Sequence, residues 1–262
     1  MLTPAEFRAL HRPGTPIVLP NAWDLASARW LHACGHAAIG TTSLGVAFDA
    51  GKRDGGGETA DDTLELARRI AGAGIAVSVD LEAGFSDDPD DVGRFAEELA
   101  GLGVIGVNIE DSDASGRLVD PELAAAKIAA IAAAAPVLYL NARTDPFWIE
   151  SDADEPARHV DAVARASRYI GAGASGVFVP GALPAATVAA LVRDIPAPLN
   201  VLVQGALSVP RLASLGVARV STGSLLFRLA LGAISSAAAD IARGGFSPPP
   251  GIPSYEEVAL LP

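Results

Sequence analysis

The chain has 262 residues, 50% of them hydrophobic, with a formal net charge of −12 and a single cysteine. The acidity disfavours nucleic acid and anionic membrane as partners. One thiol precludes an internal disulfide and fits a reducing cytoplasm, and neither an apolar leader nor a bilayer-length apolar run is expected.

Strand-like runs alternate with helix-like runs along the sequence. The pattern predicts strands over 16–20, 37–42, 76–82, 104–110, 136–143, 176–180, 199–203 and 219–222. Each is followed by a predicted helix: 24–33, 60–73, 89–102, 121–134, 155–170, 184–193, 209–215 and 224–243. Gly35, Gly74, Gly103, Gly173 and Gly216 stand where helix ends want a left-handed residue. Asp152-Ala153-Asp154-Glu155 supplies negative charge to a helix N-terminus. Regular alternation gives a parallel sheet, and eight repeats give a TIM-type (β/α)8 barrel, here one domain over 1–262. The rival, an open doubly wound sheet, lacks its glycine-rich turn: the first strand leads into Asn21-Ala22-Trp23. Residues 224–234 are apolar on nearly all faces. Such a helix is expected to be buried twice, by its barrel and by a neighbouring subunit, the alternative being cover from the tail 246–253.

Chemistry collects where the strands end. In Val77-Ser78-Val79-Asp80-Leu81-Glu82 strand alternation turns Asp80 and Glu82 to the same side. Two buried acids repel, and a hard cation such as Mg²⁺ would offset that. The second strand ends in Thr42-Ser43-Leu44, and its loop carries Lys52-Arg53-Asp54 and Gly55-Gly56-Gly57, a lid hinge or a flexible loop. The fourth strand ends in Asn108, Glu110 and Asp111, and the fifth in Asn141, Arg143 and Asp145. Asn200 and Gln204 flank the seventh. Charged groups at three successive strand ends predict an active site. Tyr139 reads as an ordinary barrel aromatic, the four histidines lack ligand spacing, and Cys34 reads as a buried structural thiol.

Taken together, Asn21-Ala22-Trp23-Asp24, Lys52-Arg53-Asp54, Val79-Asp80-Leu81-Glu82-Ala83-Gly84-Phe85, Asn108-Ile109-Glu110-Asp111, Asn141-Ala142-Arg143-Thr144-Asp145, Gly176-Val177-Phe178-Val179-Pro180-Gly181 and Pro198-Leu199-Asn200-Val201 resemble the isocitrate lyase / phosphoenolpyruvate mutase superfamily. The resemblance runs from about Phe7 to Gly223. It implies a barrel that binds Mg²⁺, with Mn²⁺ as a substitute, at its strand ends. By the same resemblance Asp80 is the direct metal ligand, Asp54 and Glu110 hold metal-bound waters, and Glu82, where the family usually has a shorter Asp, also belongs to the metal site and would reach the metal through water. Ser86 replaces the family's final glycine in that motif. Arg143 would pair with the substrate carboxylate or the developing enolate, and Thr42, Ser43 and Leu44 would grip the carboxylate. Asp111, Tyr139, Asn200 and Gln204 are candidates for substrate choice. The family also implies a homotetramer that exchanges its last helix.

The departures narrow the chemistry. The lyase branch carries a Lys-Lys-Cys-Gly-His loop after the fourth strand, whereas residues 111–119 contain no cysteine, lysine or histidine. The mutase branch uses a lysine there, and the first one downstream is Lys127, inside a predicted helix. A Mg²⁺-dependent lyase acting on a small 2-oxo acid, such as an oxaloacetate decarboxylase, is therefore the leading expectation. Phosphonate mutase or hydrolase chemistry and a non-catalytic dicarboxylate-binding barrel are the alternatives.

Overall fold

The computed structural model describes residues 2–149 and 153–261. Nine parallel strand segments form a nearly closed barrel, wrapped by eleven helices among the described residues. In order they are α1 (Pro4–Leu10), β1 (Ile17–Leu19), β2 (Asn21–Ala22), α2 (Leu25–Ala33), β3 (Ile39–Thr41), α3 (Ser43–Asp49), α4 (Ala60–Gly72) and β4 (Val77–Asp80). Then come α5 (Pro89–Gly101), β5 (Gly106–Ile109), α6 (Pro121–Ala134), β6 (Tyr139–Arg143), α7 (Glu155–Gly171) and β7 (Gly176–Phe178). The chain closes with α8 (Ala185–Asp194), β8 (Leu199–Leu202), α9 (Val209–Ser214), β9 (Arg219–Ser221), α10 (Leu225–Ala242) and α11 (Tyr255–Ala259).

The ninth segment is a seam and not an extra stave. β1 and β2 are one strand interrupted at Pro20, which has no N–H to give a ladder. β1 pairs with β9 and β2 with β3, so the first strand joins both edges. Asn21 staples the seam: its Oδ1 accepts from the Thr222 and Gly223 amides at 3.0 and 2.9 Å, and its Nδ2 donates to the Thr41 carbonyl at 2.7 Å. The eight-unit expectation thus holds, with the first strand running further than predicted.

The helices lie where their caps and stripes put them. Asp88, Asp120 and Asp154 each accept a first-turn amide, with proline in the first turn that follows. Asp152 lies outside the described residues. α4 buries Thr63, Leu66, Ala67, Ile70 and Ala71, one face of a 3.6-residue period. The five glycines expected at helix ends all take positive φ.

Two unpredicted helices shape the barrel's ends. α1 is held by a capping box between Thr3 and Glu6 and plugs the lower end with Phe7. There Phe7 meets His11 and Tyr139 edge-on, and His11 stacks on Tyr139 at 3.8 Å. α3 follows β3 directly, where only a loop was expected; Gly45 lets it press onto Trp23, whose Cβ would lie 2.3 Å from an added methyl.

Three expectations need correction. Cys34 is exposed, because the end of α2 faces outward. α10 is 18 residues long and, by length and composition alone, apolar enough to cross a bilayer, which the sequence was expected not to contain. Its only buried residue is Phe227, while Leu229, Ile234 and Ile241 are about 60% exposed. The tail does not cover it, since Phe246, Ile252, Tyr255 and Leu260 are themselves exposed.

Candidate active site

The upper end of the barrel, where the strands finish, opens into a cavity of about 320 Å³. Thr42, Ser43 and Leu44 at the start of α3 line it, with Asp54, Asp80, Glu110 and Arg143 from the loops and strand ends. The structure therefore gathers seven of the nine predicted site residues around one space.

Asp80 ends β4 and is held on three sides. Its amide donates to Thr41 Oγ1 at 2.9 Å, its Oδ1 accepts from Asn108 Nδ2 at 3.1 Å, and its Oδ2 accepts from the Ser43 amide at 3.2 Å. The Ser43 amide is thus engaged by Asp80, and the Thr42 amide by the Ala22 carbonyl at 3.0 Å. Neither of these two amides is left to grip a substrate in this arrangement, while Thr42, Ser43 and Leu44 all line the cavity.

Glu82 does not share a strand face with Asp80. β4 stops at Asp80, and the chain turns through Glu82 at φ 49°, Gly84 at φ 96° and Phe85 at φ 61°. Strand alternation ends where the strand does. Both oxygens of the buried Glu82 carboxylate are engaged by the Asp54-bearing loop: Oε2 accepts from the Gly57 amide at 3.0 Å and Oε1 from the Thr59 hydroxyl. The Glu82 carbonyl accepts from the Glu110 amide at 2.9 Å. Lys127 steadies the same turn, donating to the Ala83 carbonyl at 3.0 Å. Glu82 is therefore a fastener between the Asp54 loop and the Glu110 strand end, and it does not line the cavity.

Arg143 faces the acids from β6. It pairs with Glu110, and its Nε donates to Asp145 Oδ1 at 2.6 Å. Trp148 and Phe178 lie against its guanidinium at 5.4 and 5.9 Å. Asp145 is fixed by the Ser112 hydroxyl at 2.5 Å and, through its own amide, by Asp111 at 2.8 Å. Asp111 is buried and saturated: it also accepts from Thr144, Tyr169 and Arg165. It holds the strand end that carries Arg143 and does not line the cavity.

Asn200 lies in the barrel interior, outside the cavity lining; its Oδ1 accepts from Ser221 at 3.1 Å and its Nδ2 has no partner. Tyr139 belongs to the lower plug, and Gln204 Oε1 accepts from the Leu183 amide at 3.1 Å. Residues 111–119 fold as a tight turn, with Asp113 Oδ1 accepting from the Ser115 and Arg117 amides. Two arginines that the sequence did not flag line the cavity: Arg219, buried, and Arg228, exposed on α10. Arg219 had a signal, a charge inside the apolar run Val217-Ala218-Arg219-Val220.

The electrostatics show excess negative charge. Burial, then Asp80, Asp145 and Asp54, push Glu110 up to about 8 against the pull of Arg143. Burial raises Asp54 too, Asp80 adds to it, and hydrogen bonds from Ser43 and Gly55 oppose it. Burial works against the Arg143 charge, but Glu110 and Asp145 outweigh it and keep the guanidinium protonated. No three acids, histidines or cysteines among the described residues form a ready-made chelate. A donor set of one held carboxylate and two further acids on the same cavity suits a hard cation that keeps most of its water. Asp80, Asp54 and Glu110 fit Mg²⁺ or Mn²⁺ in that way, and Glu82, with both oxygens engaged, does not.

Comparison with known proteins agrees with the geometry. The family model described as phosphoenolpyruvate phosphomutase matches residues 7–242. An uncharacterised protein of Mycobacterium tuberculosis is 45% identical over 239 residues, covering 91% of this chain and 90% of that one. A 2-methylisocitrate lyase of Halalkalibacterium halodurans is 31% identical over 204 residues, 74% of this chain and 65% of the relative. A crystal structure from Burkholderia cenocepacia, provisionally named a phosphonomutase, superposes with a TM-score of 0.86 at 37% identity, covering 91% of this chain and all of that one.

Proposed function

Because the chain belongs to the phosphoenolpyruvate mutase / isocitrate lyase superfamily, we propose that it is a divalent-metal-dependent lyase of small 2-oxo acids, with oxaloacetate decarboxylation as the prototype. One observation carries this choice. The cavity offers a held carboxylate, Asp80, and a fixed cation, Arg143, while the adjoining turn 111–119 contributes no cysteine, lysine or histidine. Loss of CO₂ needs no protonated leaving group, so it is the cleavage such a site can support.

A bound Mg²⁺ would act as a Lewis acid for the keto oxygen. Arg143 is partly buried, charged and held by two carboxylates, and it stabilises negative charge developing on the substrate as the C3–carboxylate bond breaks. The guanidinium lies over the Trp148 and Phe178 rings, whose faces favour its charge. Glu110, raised to about 8, can hold or release a proton near neutral pH, and burial raises Asp54 in the same direction. Arg228 at the mouth favours an anionic substrate over a neutral one. The exposed apolar face of α10 supports the homotetramer with an exchanged last helix that the resemblance implies.

The test is oxaloacetate turnover with Mg²⁺ or Mn²⁺, on the native protein and on Asp80→Ala, with sedimentation of the same samples. Turnover that Asp80→Ala abolishes, by a tetramer, is expected; equal turnover by both proteins removes the assignment. Phosphonate chemistry is the second proposal, supported by the Burkholderia relative's provisional name. Phosphorus NMR on phosphonopyruvate decides it. If oxalate with Mg²⁺ raises Tm while neither substrate turns over, the protein is a dicarboxylate-binding barrel.

A further inference from the structure

The floor of the cavity, lined by Asn108, Ser221 and Arg219, and the barrel interior beneath it carry amides and hydroxyls. They form two half-chains with a common polarity. In the first, Asp80 Oδ1 accepts from Asn108 Nδ2 at 3.1 Å, and Asn108 Oδ1 accepts from Asn141 Nδ2 at 3.0 Å. These three residues are in register on β4, β5 and β6. A carboxylate only accepts, so Asn108 must turn its nitrogen to Asp80 and its oxygen away, and Asn141 must donate in turn.

The second half-chain starts from a group that only donates. Arg219 Nε donates to Ser221 Oγ at 2.9 Å, and the Ser221 hydroxyl donates to Asn200 Oδ1 at 3.1 Å. Arg219 and Asn200 are in register on β9 and β8. The carboxylate fixes the polarity of the first half-chain, and with Ser221 donating to Asn200 the second points its N–H and O–H groups the same way, from the guanidinium toward the carboxylate.

Their loose ends are complementary. Among the described residues Asn141 Oδ1 is a buried acceptor without a partner, and Asn200 Nδ2 a buried donor without one. Tyr139 OH and Arg219 Nη1 are also buried and unpartnered. The Tyr139 hydroxyl lies over Gly176, where an added methyl would come within 2.2 Å of it, and Gly176 is in register with Asn141. A hydroxyl and a water can each accept from one side and donate to the other, and buried polar atoms left bare are rare in native interiors.

We propose that Arg219, Ser221, Asn200, Asn141 and Asn108 form one polarised relay, closed at the Tyr139 hydroxyl by ordered water, that positions Asp80. The relay holds Oδ1 turned into the barrel and leaves Oδ2 on the Ser43 side. All five are positioning residues. Arg219 serves as the remote counter-charge, and among the described residues it has no acidic side chain as a salt-bridge partner. Its consequence for metal affinity rests on the function proposed above, whereas its existence does not.

Ser221→Ala removes the central hydroxyl while leaving Asp80, Asn108 and Asn141 untouched, and Ser221→Thr restores it. Side-chain amide signals in ¹H–¹⁵N spectra of the metal-free protein are the readout. In S221A the Asn200, Asn141 and Asn108 signals all move, while the backbone amides of β4 and β5 stay; in S221T they return. Calorimetry with Mg²⁺ shows affinity lower on the order of tenfold in S221A and recovered in S221T. Movement of Asn200 alone, with Asn141 and Asn108 unchanged, overturns the relay and leaves two separate half-chains. If S221A does not fold, Asn200→Leu breaks the same link from the neighbouring strand and is read in the same way. Shifts in a protein that turns over no 2-oxo acid keep the relay and remove the function.

Discussion

At the upper end of the barrel, burial pushes Glu110 and Asp54 up; at the lower end, burial and then Arg219 pull His11 down to about 3. The same desolvation acts on both, but the surroundings differ. The upper acids share a cavity, so a cation from solvent can relieve their repulsion. His11 stacks on Tyr139 beneath Phe7, and its Nδ1–H donates to the Phe7 carbonyl at 2.9 Å. It stays neutral and serves as packing. One end of the barrel is built to recruit charge and the other to exclude it.

Substitutions at the two ends should therefore fail in opposite currencies. Arg143→Met removes a fixed cation from the upper end, and kcat should fall on the order of 10²–10³-fold. Its midpoint in urea should move little, because the acids it leaves behind can take up protons. Phe7→Ala removes a fully buried ring from the lower plug and should cost about 3–5 kcal/mol in urea unfolding, with kcat/KM kept in the folded fraction. If Phe7→Ala lowered kcat as much as Arg143→Met at full folding, the division between the ends would be wrong.

A smaller effect follows from pH. Glu110, Asp54, Glu82 and Asp111 are all raised, chiefly by burial, so near neutrality the folded protein holds more protons than the unfolded chain. Stability from such groups is fully present below their ordinary values, 3.8 for the aspartates and 4.5 for the glutamates, and is lost as pH rises through the folded values, about 8 for Glu110. Above pH 6.5, where His11 is neutral whether folded or unfolded, metal-free protein should lose several degrees of Tm as pH rises to about 8. Saturating Mg²⁺ with oxalate should flatten the slope, because a bound cation favours the charged carboxylates. A flat metal-free profile would mean that the acids are already compensated without a cation.

The contrast between the ends also separates what the sequence could reveal from what it could not. Eight repeats were legible because hydrophobic period and helix-ending glycines are local signals, and the acids at three strand ends stood out against apolar strands. α1 and α3, with seven residues each, are too short to show a period, and α3 depends on Gly45 meeting a distant Trp23. Asn200 looked like a site residue because a polar group in a barrel strand is unusual; its depth in the barrel is set by register, which no local pattern encodes. Glu82 failed for the same kind of reason. Alternation assumes that the strand continues, and no residue after Asp80 announces a left-handed turn at a glutamate.

That turn gives the last and smallest effect, and it separates fastening from ligation. If Glu82 were a metal ligand, Glu82→Gln would weaken Mg²⁺ about as much as Asp80→Ala. The geometry predicts otherwise. Glutamine keeps one acceptor for the Gly57 amide or the Thr59 hydroxyl and loses the other and the charge, a loss of about 1–3 kcal/mol for a buried hydrogen bond to a charged group. Protease cleavage between Lys52 and Glu58 should quicken, because the loop carrying Asp54 is fastened there. Calorimetric Mg²⁺ affinity should change by only a few-fold, through the looser Asp54. Loss of metal binding with an unchanged cleavage rate would return Glu82 to the metal and leave the loop held by something else.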